Sequence, residues 1–377
     1  MLPYTPLHHL LLEAEPGYPE VLVMTSGNLS EEPIAYQDAD AGERLSPLAD
    51  GFLLHNREIH MRTDDSVVRV FEGAPYIQRR ARGYAPDPIL ISEELPPILA
   101  TGAELKNTFC LTHRDYAFLS HHIGDLENYE TLQSFEEGIQ HYQRLFRVQP
   151  EMLACDMHPN YLATRYAQER AAREDLPLVQ VQHHHAHLAA CLADNRWTSE
   201  DVLIGLSLDG TGYGTDGAIW GGEVLLGGYT GYQRLFHLKY APLPGGDLSV
   251  RRPARMALAH LWSAGIDWEA DLPPVEDLCM EERIALRGQL QHHLNTPDTS
   301  SMGRLFDAAS ALMGIRQLAT YEGQAAIEME ALVDADETAR YTFDLHGDEI
   351  DPAPVWQALI ADWRAGLPQP RMAARFH

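Results

Sequence analysis

The order of predicted strands and helices between residues 98 and 240 is the feature that most limits what this chain can fold into. Strands are indicated at 98–111 and 116–120, with turns at 103–107 and 113–115. An amphipathic helix at about 130–147 follows, and then strands and helices alternate at 152–156, about 160–173, 178–182 and from residue 183. Alternation of this kind predicts an α/β fold.

A second series of strands begins near residue 202, which indicates that the α/β unit is duplicated. Strands are expected at 203–208, at 217–229 after a turn at Asp209, and at 232–240, before a helical insertion at about 253–330. Three strands followed by alternating helices and strands is the order of a ribonuclease-H-like fold. We therefore predict a duplicated ribonuclease-H-like or actin-like fold over residues 98–377, with halves at about 98–200 and 201–377. Its last strands would lie beyond residue 377, so the second half is expected to be incomplete.

Residues 1–85 predict a separate, small α/β domain. A strand is expected at Val21–Met24, then a loop rich in serine, glycine and asparagine, a helix at 38–48 and paired strands at 51–55 and 66–71. Residues 86–97 are expected to connect the two domains, because glycine and two prolines interrupt the pattern at 78–88. Neither end of the sequence carries a clear structural boundary, so we expect a fragment.

Charge and cysteine content narrow the class of protein. The 377 residues carry a formal net charge of −27, and the cluster Arg79, Arg80 and Arg82 is a small exception. Nucleic acid and anionic membranes are therefore not expected partners. The four cysteines form no Cys-x-x-Cys pair, which favours a reducing, cytoplasmic setting. No apolar run approaches the roughly 20 residues of a membrane-spanning helix.

Four histidines within five positions mark a candidate metal site at the start of a helix. His183 and His187 are four residues apart, so a helix places them on one face. Imidazole is a common ligand of zinc and iron, and this spacing suits two ligands of one ion. The alternative is a pair of partly buried histidines in a helix cap. His184 and His185 are predicted to orient these ligands or to contact a substrate.

Other residues suggest a nucleotide beside this metal. Asp209 lies in a glycine-rich stretch, where a carboxylate binds a metal and glycines admit phosphates, although an aspartate in a turn is the common structural alternative. Ser26 and Asn28 lie in a loop whose hydroxyl and N–H donors suit phosphate. Asp307, near the start of a helix, either complements the helix dipole or accepts ribose hydroxyls. Gly323 precedes the next helix and is a further nucleotide candidate.

Several motifs in order resemble a known family. They are Gly102-Ala-Glu-Leu-Lys106-Asn107-Thr, Ser120-His-His-Ile-Gly-Asp125, Asp156-Met-His158-Pro, Gln182-His183-His-His-Ala-His187, Asp209-Gly-Thr-Gly-Tyr-Gly and Tyr321-Glu-Gly-Gln. Residues 95–377 resemble the Kae1/TsaD-like module of the HypF carbamoyltransferases of [NiFe]-hydrogenase maturation. Residues 1–85 resemble the later half of their YrdC/Sua5-like module, and Arg79-Arg-Ala-Arg-Gly-Tyr-Ala-Pro86 is similar to their link.

The resemblance implies an activity and a set of ligands. Family members use ATP, with Mg²⁺, to convert carbamoyl phosphate into carbamoyl-adenylate, and pass the carbamoyl group to the C-terminal cysteine of HypE. By resemblance, Ser26, Asn28, Arg62 and Ser66 would bind ATP. His183, His187 and Asp209 would hold zinc or iron. Lys106 and Asn107 would contact phosphate or carbamoyl groups, with a solvated turn as the alternative.

Two other functions share parts of this pattern. An enzyme that makes threonylcarbamoyladenosine in tRNA would use the same two modules, but this acidic chain lacks a basic face. A non-catalytic actin-like nucleotide-binding module would share the duplicated fold without the histidine helix. The family also has segments before and after this one, including acylphosphatase-like and zinc-finger parts. We therefore expect this chain to be inactive alone.

Overall fold

The N-terminal part contains short helices and a hairpin. The computed structural model of the chain describes residues 5–13, 17, 20–29, 32–199 and 201–377. The first elements are α1 (Pro6–Leu11), α2 (Asp38–Arg44), β1 (Val67–Phe71) and β2 (Ala74–Arg79). In the turn between β1 and β2, Glu72 (φ 48°) and Gly73 (φ 80°) both have positive φ. Two such residues give the backbone twist that a two-residue hairpin needs.

Two strand predictions for this part of the chain are wrong. Residues 21–24 and 51–55 form no strand, and Val23 and Leu53 are 95% and 72% exposed. An apolar run becomes a strand only where a neighbour completes its backbone hydrogen bonds. The strand predicted at 66–71 is confirmed as β1, but its partner is β2. The helix predicted at 38–48 is confirmed as α2, which ends at Arg44.

The first half contains a five-stranded sheet in the order β3–β5–β4–β6–β7. Its strands are β3 (Ile89–Leu95), β4 (Ile98–Ala100), β5 (Cys110–Leu119), β6 (Met152–Asp156) and β7 (Leu178–Val181). β5 pairs antiparallel with β3 and β4, whereas β4, β6 and β7 run parallel. Because Asp156 pairs with Val181, the ends of β6 and β7 lie side by side.

Two predictions for this sheet need correction. Residues 89–95, assigned to a connection, form the edge strand β3. β5 continues through residues 113–115, where a turn was predicted, and Arg114 takes a positive φ of 56° there. A turn signal inside a strand gives a local irregularity when both sides still find partners. The turn predicted at 103–107 is confirmed, since β4 and β5 lie on either side of it.

Three helices follow the predicted order and cover this sheet. They are α3 (Tyr129–Phe146), α4 (Leu162–Glu174) and α5 (His183–Asp194). The side chain of Asn128 accepts a hydrogen bond from Thr131 N and caps α3, which satisfies a backbone donor that the helix itself leaves free. In the core, the ring of Phe109 lies edge-on to those of Phe135 and Tyr142, at 5.9 and 5.0 Å.

The second half is built on a seven-stranded sheet. It contains β8 (Leu203–Tyr213), β9 (Ile219–Gly227), β10 (Tyr232–Leu238), β11 (Ala241–Pro242), β12 (Asp298–Thr299), β13 (Asp344–His346) and β14 (Glu349–Asp351). β8, β9 and β10 form the predicted antiparallel series. The turn predicted at Asp209 is wrong, because β8 continues to Tyr213 with a register shift between Leu208 and Gly212. The hairpin turns at residues 214–217 instead.

Eight helices among the described residues pack beside this sheet. They are α6 (Asp247–Arg251), α7 (Pro253–Ser263), α8 (Pro273–Asp277), α9 (Met280–His292), α10 (Met302–Leu312), α11 (Gln324–Glu330), α12 (Ala353–Arg364) and α13 (Gln369–Phe376). The helical insertion predicted at 253–330 is therefore confirmed. α7 and α10 lie at the centre of a large apolar core, in which Trp356 of α12 is fully buried. Within the described part of the chain, no helix combines the length and apolar character needed to cross a membrane.

Candidate metal centre

Helix α5 presents two imidazoles to one point. It begins directly at His183, because the side chain of Gln182 accepts a hydrogen bond from His185 N and caps the helix. One helical turn separates His183 from His187, and their Nε2 atoms are 3.2 Å apart. His183 is mostly buried, whereas the side chain of His187 is 61% exposed. The pair is therefore open to solvent on one side.

The third donor comes from strand β8, which runs beside α5. Oδ2 of Asp209 lies 3.3 Å from Nε2 of His183 and 3.3 Å from Nε2 of His187. Two ligands about 2.1 Å from a tetrahedral zinc ion are about 3.4 Å apart, so these separations suit a metal. These three residues are the one group among the described residues whose donor atoms could hold an ion together. Two imidazoles and a carboxylate fit zinc or iron.

Two carboxylates control the charge of His183. Its Nδ1 donates to Oδ2 of the buried Asp156 at 2.7 Å. Burial acts to lower the pKa of His183, but hydrogen bonds to Asp156 and Asp209 outweigh it and raise the pKa to about 9. Burial acts to raise the pKa of Asp209, but hydrogen bonds from His183 and His187 hold it well below its usual range. The site favours a cation, and a metal must displace the proton on Nε2.

Asp156 is a site residue that sequence reasoning quoted in a motif but did not assign. It lies at the end of β6, and His183 follows the neighbouring parallel strand β7 after one intervening residue. Parallel strands end at the same sheet edge, so this topology brings the carboxylate to the imidazole. A metal-bound histidine usually donates its other ring N–H to such a group, which fixes the ring. The predicted strand order was therefore the signal that could have identified Asp156.

The other two histidines of the cluster face different surroundings. His184 is fully buried, and its Nε2 lies 3.7 Å from Oδ2 of Asp209. Burial, with the nearby His183, lowers the pKa of His184 to about 4. The Nε2 atom of His185 lies 2.8 Å from the carbonyl oxygen of Gly228. The structure therefore brings His184 to the metal site, while His185 contacts the turn between β9 and β10.

The backbone of Asp209 is held by the residues around it. Oγ of Ser301, which caps α10, lies 3.0 Å from the carbonyl oxygen of Asp209 and 2.7 Å from that of Gly210. A Cβ atom at Gly221 would lie 2.5 Å from the Asp209 carbonyl oxygen. The buried carboxylate of Glu223 accepts hydrogen bonds from two backbone N–H groups next to this contact. This close packing leaves Asp209 little freedom to move away from the histidines.

Lys106 and Asn107 have different environments. The amide of Asn107 is buried and donates to the carbonyl oxygens of Thr101 and Ala103. The side chain of Asn107 therefore holds the loop between β4 and β5, and its contact with a substrate stays a prediction. Nζ of the exposed Lys106 lies 2.5 Å from Oε2 of Glu322. This ion pair places Lys106 beside the loop that contains Gly323.

Three of the predicted nucleotide contacts share one cavity with Lys106. A cavity of about 340 Å³ lies between the N-terminal part and the first half. Its lining includes Ser26, Asn28, Arg62 and Lys106, with Arg79 as a further cation, and also the carboxylates of Glu32, Asp64 and Asp125. The cations could thus hold an anion that competes with these carboxylates.

Three other predicted nucleotide residues lie elsewhere. The hydroxyl of Ser66 accepts from Ala81 N and donates to Arg82 O, so it fixes the hairpin. Asp307 lies in α10 and is 3% exposed. Its Oδ2 atom lies 2.8 Å from Nε of Arg304, but the two groups are not oriented for a hydrogen bond. Burial raises the pKa of Asp307 to about 6, and its carboxylate is not open to a ribose. Gly323 caps α11 with φ 72°.

Fold and site together define a Kae1-like domain that follows a YrdC-like segment. A family model described as "HypF Kae1-like domain" matches residues 93–194, and one described as "Carbamoyltransferase, Kae1-like Domain, second subdomain" matches residues 205–377. A third, described as "Telomere recombination" and covering the Sua5, YciO and YrdC proteins, matches residues 1–81. The predicted fold class is confirmed.

Individual relatives give the same assignment. Carbamoyltransferase HypF2 of Cupriavidus necator is 46% identical over 351 residues, which cover 89% of this chain and 43% of that protein. HypF of Rhodobacter capsulatus is 45% identical over 370 residues, covering 97% and 49%. A crystal structure of full-length HypF in a phosphate- and nucleotide-bound form matches the whole chain and 58% of its own, with 44% identity and a TM-score of 0.91. The chain belongs to the HypF family and spans about half the length of these curated relatives.

Proposed function

We propose that this chain forms part of an ATP-dependent carbamoyltransferase that matures [NiFe]-hydrogenase. It would act with Mg-ATP and carbamoyl phosphate in the cytoplasm, and HypE would accept the carbamoyl group. The single observation that carries the proposal is the convergence of His183, His187 and Asp209, whose donor atoms lie within 4.8 Å, in a chain that is 46% identical to a carbamoyltransferase. Neither nucleic acid nor a membrane is part of the proposal.

The cavity beside the N-terminal part suits the activation step. Carbamoyl phosphate first loses its phosphate to water, which leaves carbamate. A carbamate oxygen then attacks the α-phosphorus of ATP, the bond to pyrophosphate breaks, and carbamoyl-adenylate forms. Arg62, Arg79 and Lys106 line the cavity and would counter the charge of the phosphates. Each now lies near a carboxylate, at 3.5, 2.9 and 2.5 Å respectively. A triphosphate, with its higher charge, would compete with these single carboxylates.

The metal centre suits the second step, in which a thiolate attacks the carbamoyl carbon and AMP leaves. A metal bound there would act as a Lewis acid and a template for phosphate oxygens. The chain's own residues hold that position: His183 and His187 supply nitrogen donors from one helix, and Asp209 supplies an oxygen from β8. Asp156 orients His183 through Nδ1. The exposed side of His187 leaves a path for the acceptor cysteine.

The test measures metal and product in parallel. The longest natural protein that carries this sequence is incubated with ATP, carbamoyl phosphate and HypE. Mass spectrometry of HypE then measures the mass of the added carbamoyl group. The double substitution His183→Ala and His187→Ala should remove both the bound metal and the added carbamoyl group. The matched control replaces the exposed His292 and His346 by alanine, which removes two imidazoles elsewhere and should change neither result.

Three outcomes would contradict the proposal in different ways. Metal content that survives the double substitution would show that the site lies elsewhere. Release of AMP that requires tRNA, without a change in the mass of HypE, would favour the tRNA-modifying alternative. Nucleotide binding without any pyrophosphate or AMP release would favour a non-catalytic actin-like module.

A further inference from the structure

The side-chain amide of Gln182 has an orientation that two backbone groups determine. Its Oε1 accepts a hydrogen bond from His185 N at 2.9 Å, and its Nε2 donates to the carbonyl oxygen of Tyr213 at 3.2 Å. A backbone N–H can only donate and a carbonyl oxygen can only accept. The nitrogen and oxygen of this amide therefore cannot be exchanged without losing both bonds.

The orientation of this amide determines the tautomer of His184. Nε2 of Gln182 lies 3.3 Å from Nδ1 of His184. An amide nitrogen can only donate, so Nδ1 of His184 must accept. A neutral imidazole carries one N–H and one acceptor nitrogen. The proton of His184 is therefore on Nε2.

That Nε2–H group points toward the candidate metal centre. Nε2 of His184 is buried and has no hydrogen-bond partner among the described residues, and Oδ2 of Asp209 lies 3.7 Å away. An N–H···O bond is typically about 2.9 Å long, so a movement of about 0.8 Å would complete it. An unsatisfied buried donor is costly, which favours a position of Asp209 that accepts it.

The ring of His184 cannot easily turn away. A Cβ atom at Gly212 would lie 2.4 Å from its Cε1 atom, so the backbone of β8 packs directly against the ring. The ring of Trp220 lies nearly parallel to it, at an interplanar angle of 20° and with the ring centroids 6.3 Å apart. Both contacts hold the imidazole in the plane that directs Nε2 at Asp209.

We propose that His184 is a positioning residue that holds the carboxylate of Asp209 for the metal, and that Gln182 assigns it this role. The inference rests on the proposed metal site. His183 and His184 are adjacent but have opposite tasks. The carboxylate of Asp156 accepts from Nδ1 of His183 and leaves its Nε2 lone pair for a metal. The amide of Gln182 donates to Nδ1 of His184 and makes its Nε2 a donor, so His184 cannot be a ligand.

The experiment uses Co²⁺ binding to the metal-free full chain at one pH. His184→Phe keeps a ring but removes the donor, and it should weaken Co²⁺ binding by about 10- to 100-fold. His184→Gln retains an N–H donor and should bind within about threefold of the natural chain. The shape of the Co²⁺ absorption spectrum should be the same in all three proteins, because their metal ligands are the same.

His260→Phe is the matched control for placing a phenyl ring at a buried histidine. His260 lies in α7, and its Nε2 is also buried without a partner among the described residues. This substitution should leave Co²⁺ affinity unchanged, and thermal unfolding of each metal-free protein separates folding from binding. If His184→Phe does not fold, His184→Met takes its place, because methionine also lacks a donor.

Two results would overturn the inference. A changed Co²⁺ spectrum in the folded variants would make His184 a ligand, and unchanged affinity in His184→Phe would give it no role. Failure of the underlying metal site would give a different result. The chain with its natural sequence and the double variant of His183 and His187 would then bind Co²⁺ equally.

Discussion

Replacing Asp156 tests whether the protein sets the tautomer of its metal ligand. One carboxylate oxygen, Oδ1, accepts from His158 N at 2.8 Å, and the other accepts from Nδ1 of His183 at 2.7 Å. In Asp156→Asn, the backbone N–H of His158 donates to the amide oxygen, which takes the place of Oδ1. The amide NH₂ group therefore faces His183. That group can only donate, and the proton of a neutral His183 must then move to Nε2, where the metal would bind.

The two substitutions at this position should therefore differ in an unusual direction. Asp156→Ala removes the orienting hydrogen bond but leaves the tautomer free, and a loss of about tenfold in metal affinity is expected, about 1.4 kcal/mol. Asp156→Asn imposes the wrong tautomer and should cost at least about 100-fold, or about 2.7 kcal/mol. The nearly isosteric change should thus be more harmful than the truncation.

The assay is a competition titration of zinc against a chelator above pH 9. At lower pH the proton that the two carboxylates stabilise on His183, with a pKa of about 9, competes with the metal and would mask the loss. Asp348→Asn, at an exposed position, controls for the change in net charge. If Asp156→Asn binds zinc as tightly as Asp156→Ala, the tautomer argument is refuted.

Two further predictions concern α10 and the backbone beside Asp209. Arg304→Met leaves the buried carboxylate of Asp307 unpaired and should lower the free energy of unfolding by about 3–5 kcal/mol at pH 8. This loss of stability should be smaller at pH 5. The pKa of Asp307 is raised to about 6 even with Arg304 present, so the neutral carboxyl is favoured below pH 6. Equal losses at both pH values, measured by urea unfolding, would contradict this. Gly221→Ala places a methyl group 2.5 Å from the Asp209 carbonyl oxygen and should reduce zinc stoichiometry, while unchanged stoichiometry would show that Asp209 is not held this way.

The sequence predicted elements best where the signal was local. The strand at 152–156 matches β6, and the helices begin and end within a few residues of α3 and α4, because caps and apolar spacing act over one or two turns. The N-terminal strands failed because an apolar run does not reveal whether a partner strand exists. β3 was missed for the opposite reason: it follows prolines typical of a connection, and only its pairing with β5 makes it a strand.

The candidate site shows the same division. His183 and His187 share a helix face, so their spacing alone brings them together. Their contact with Asp209 depends on the packing of α5 against β8. The motif order suggested that these residues share a site, but it did not predict this packing. Asp156 was missed because its contact depends on the parallel pairing of β6 with β7. The structural role of Asn107 was not predicted, because a buried amide that holds a loop has the same sequence signature as one that binds a ligand.

The glycine-rich stretch after Asp209 acquires a different meaning from these contacts. Such a stretch predicts room for phosphate groups. In the structure, Gly212 of this stretch and Gly221 of the neighbouring strand β9 provide room for protein atoms: the backbone at Gly212 packs against the ring of His184, and that at Gly221 against the carbonyl group of Asp209. Both contacts act on the same carboxylate, one through the imidazole beside it and one through its own backbone. The close approach of β8 to α5 therefore requires Gly212, and the close approach of β9 to the backbone of Asp209 requires Gly221, whether or not a nucleotide also lies there.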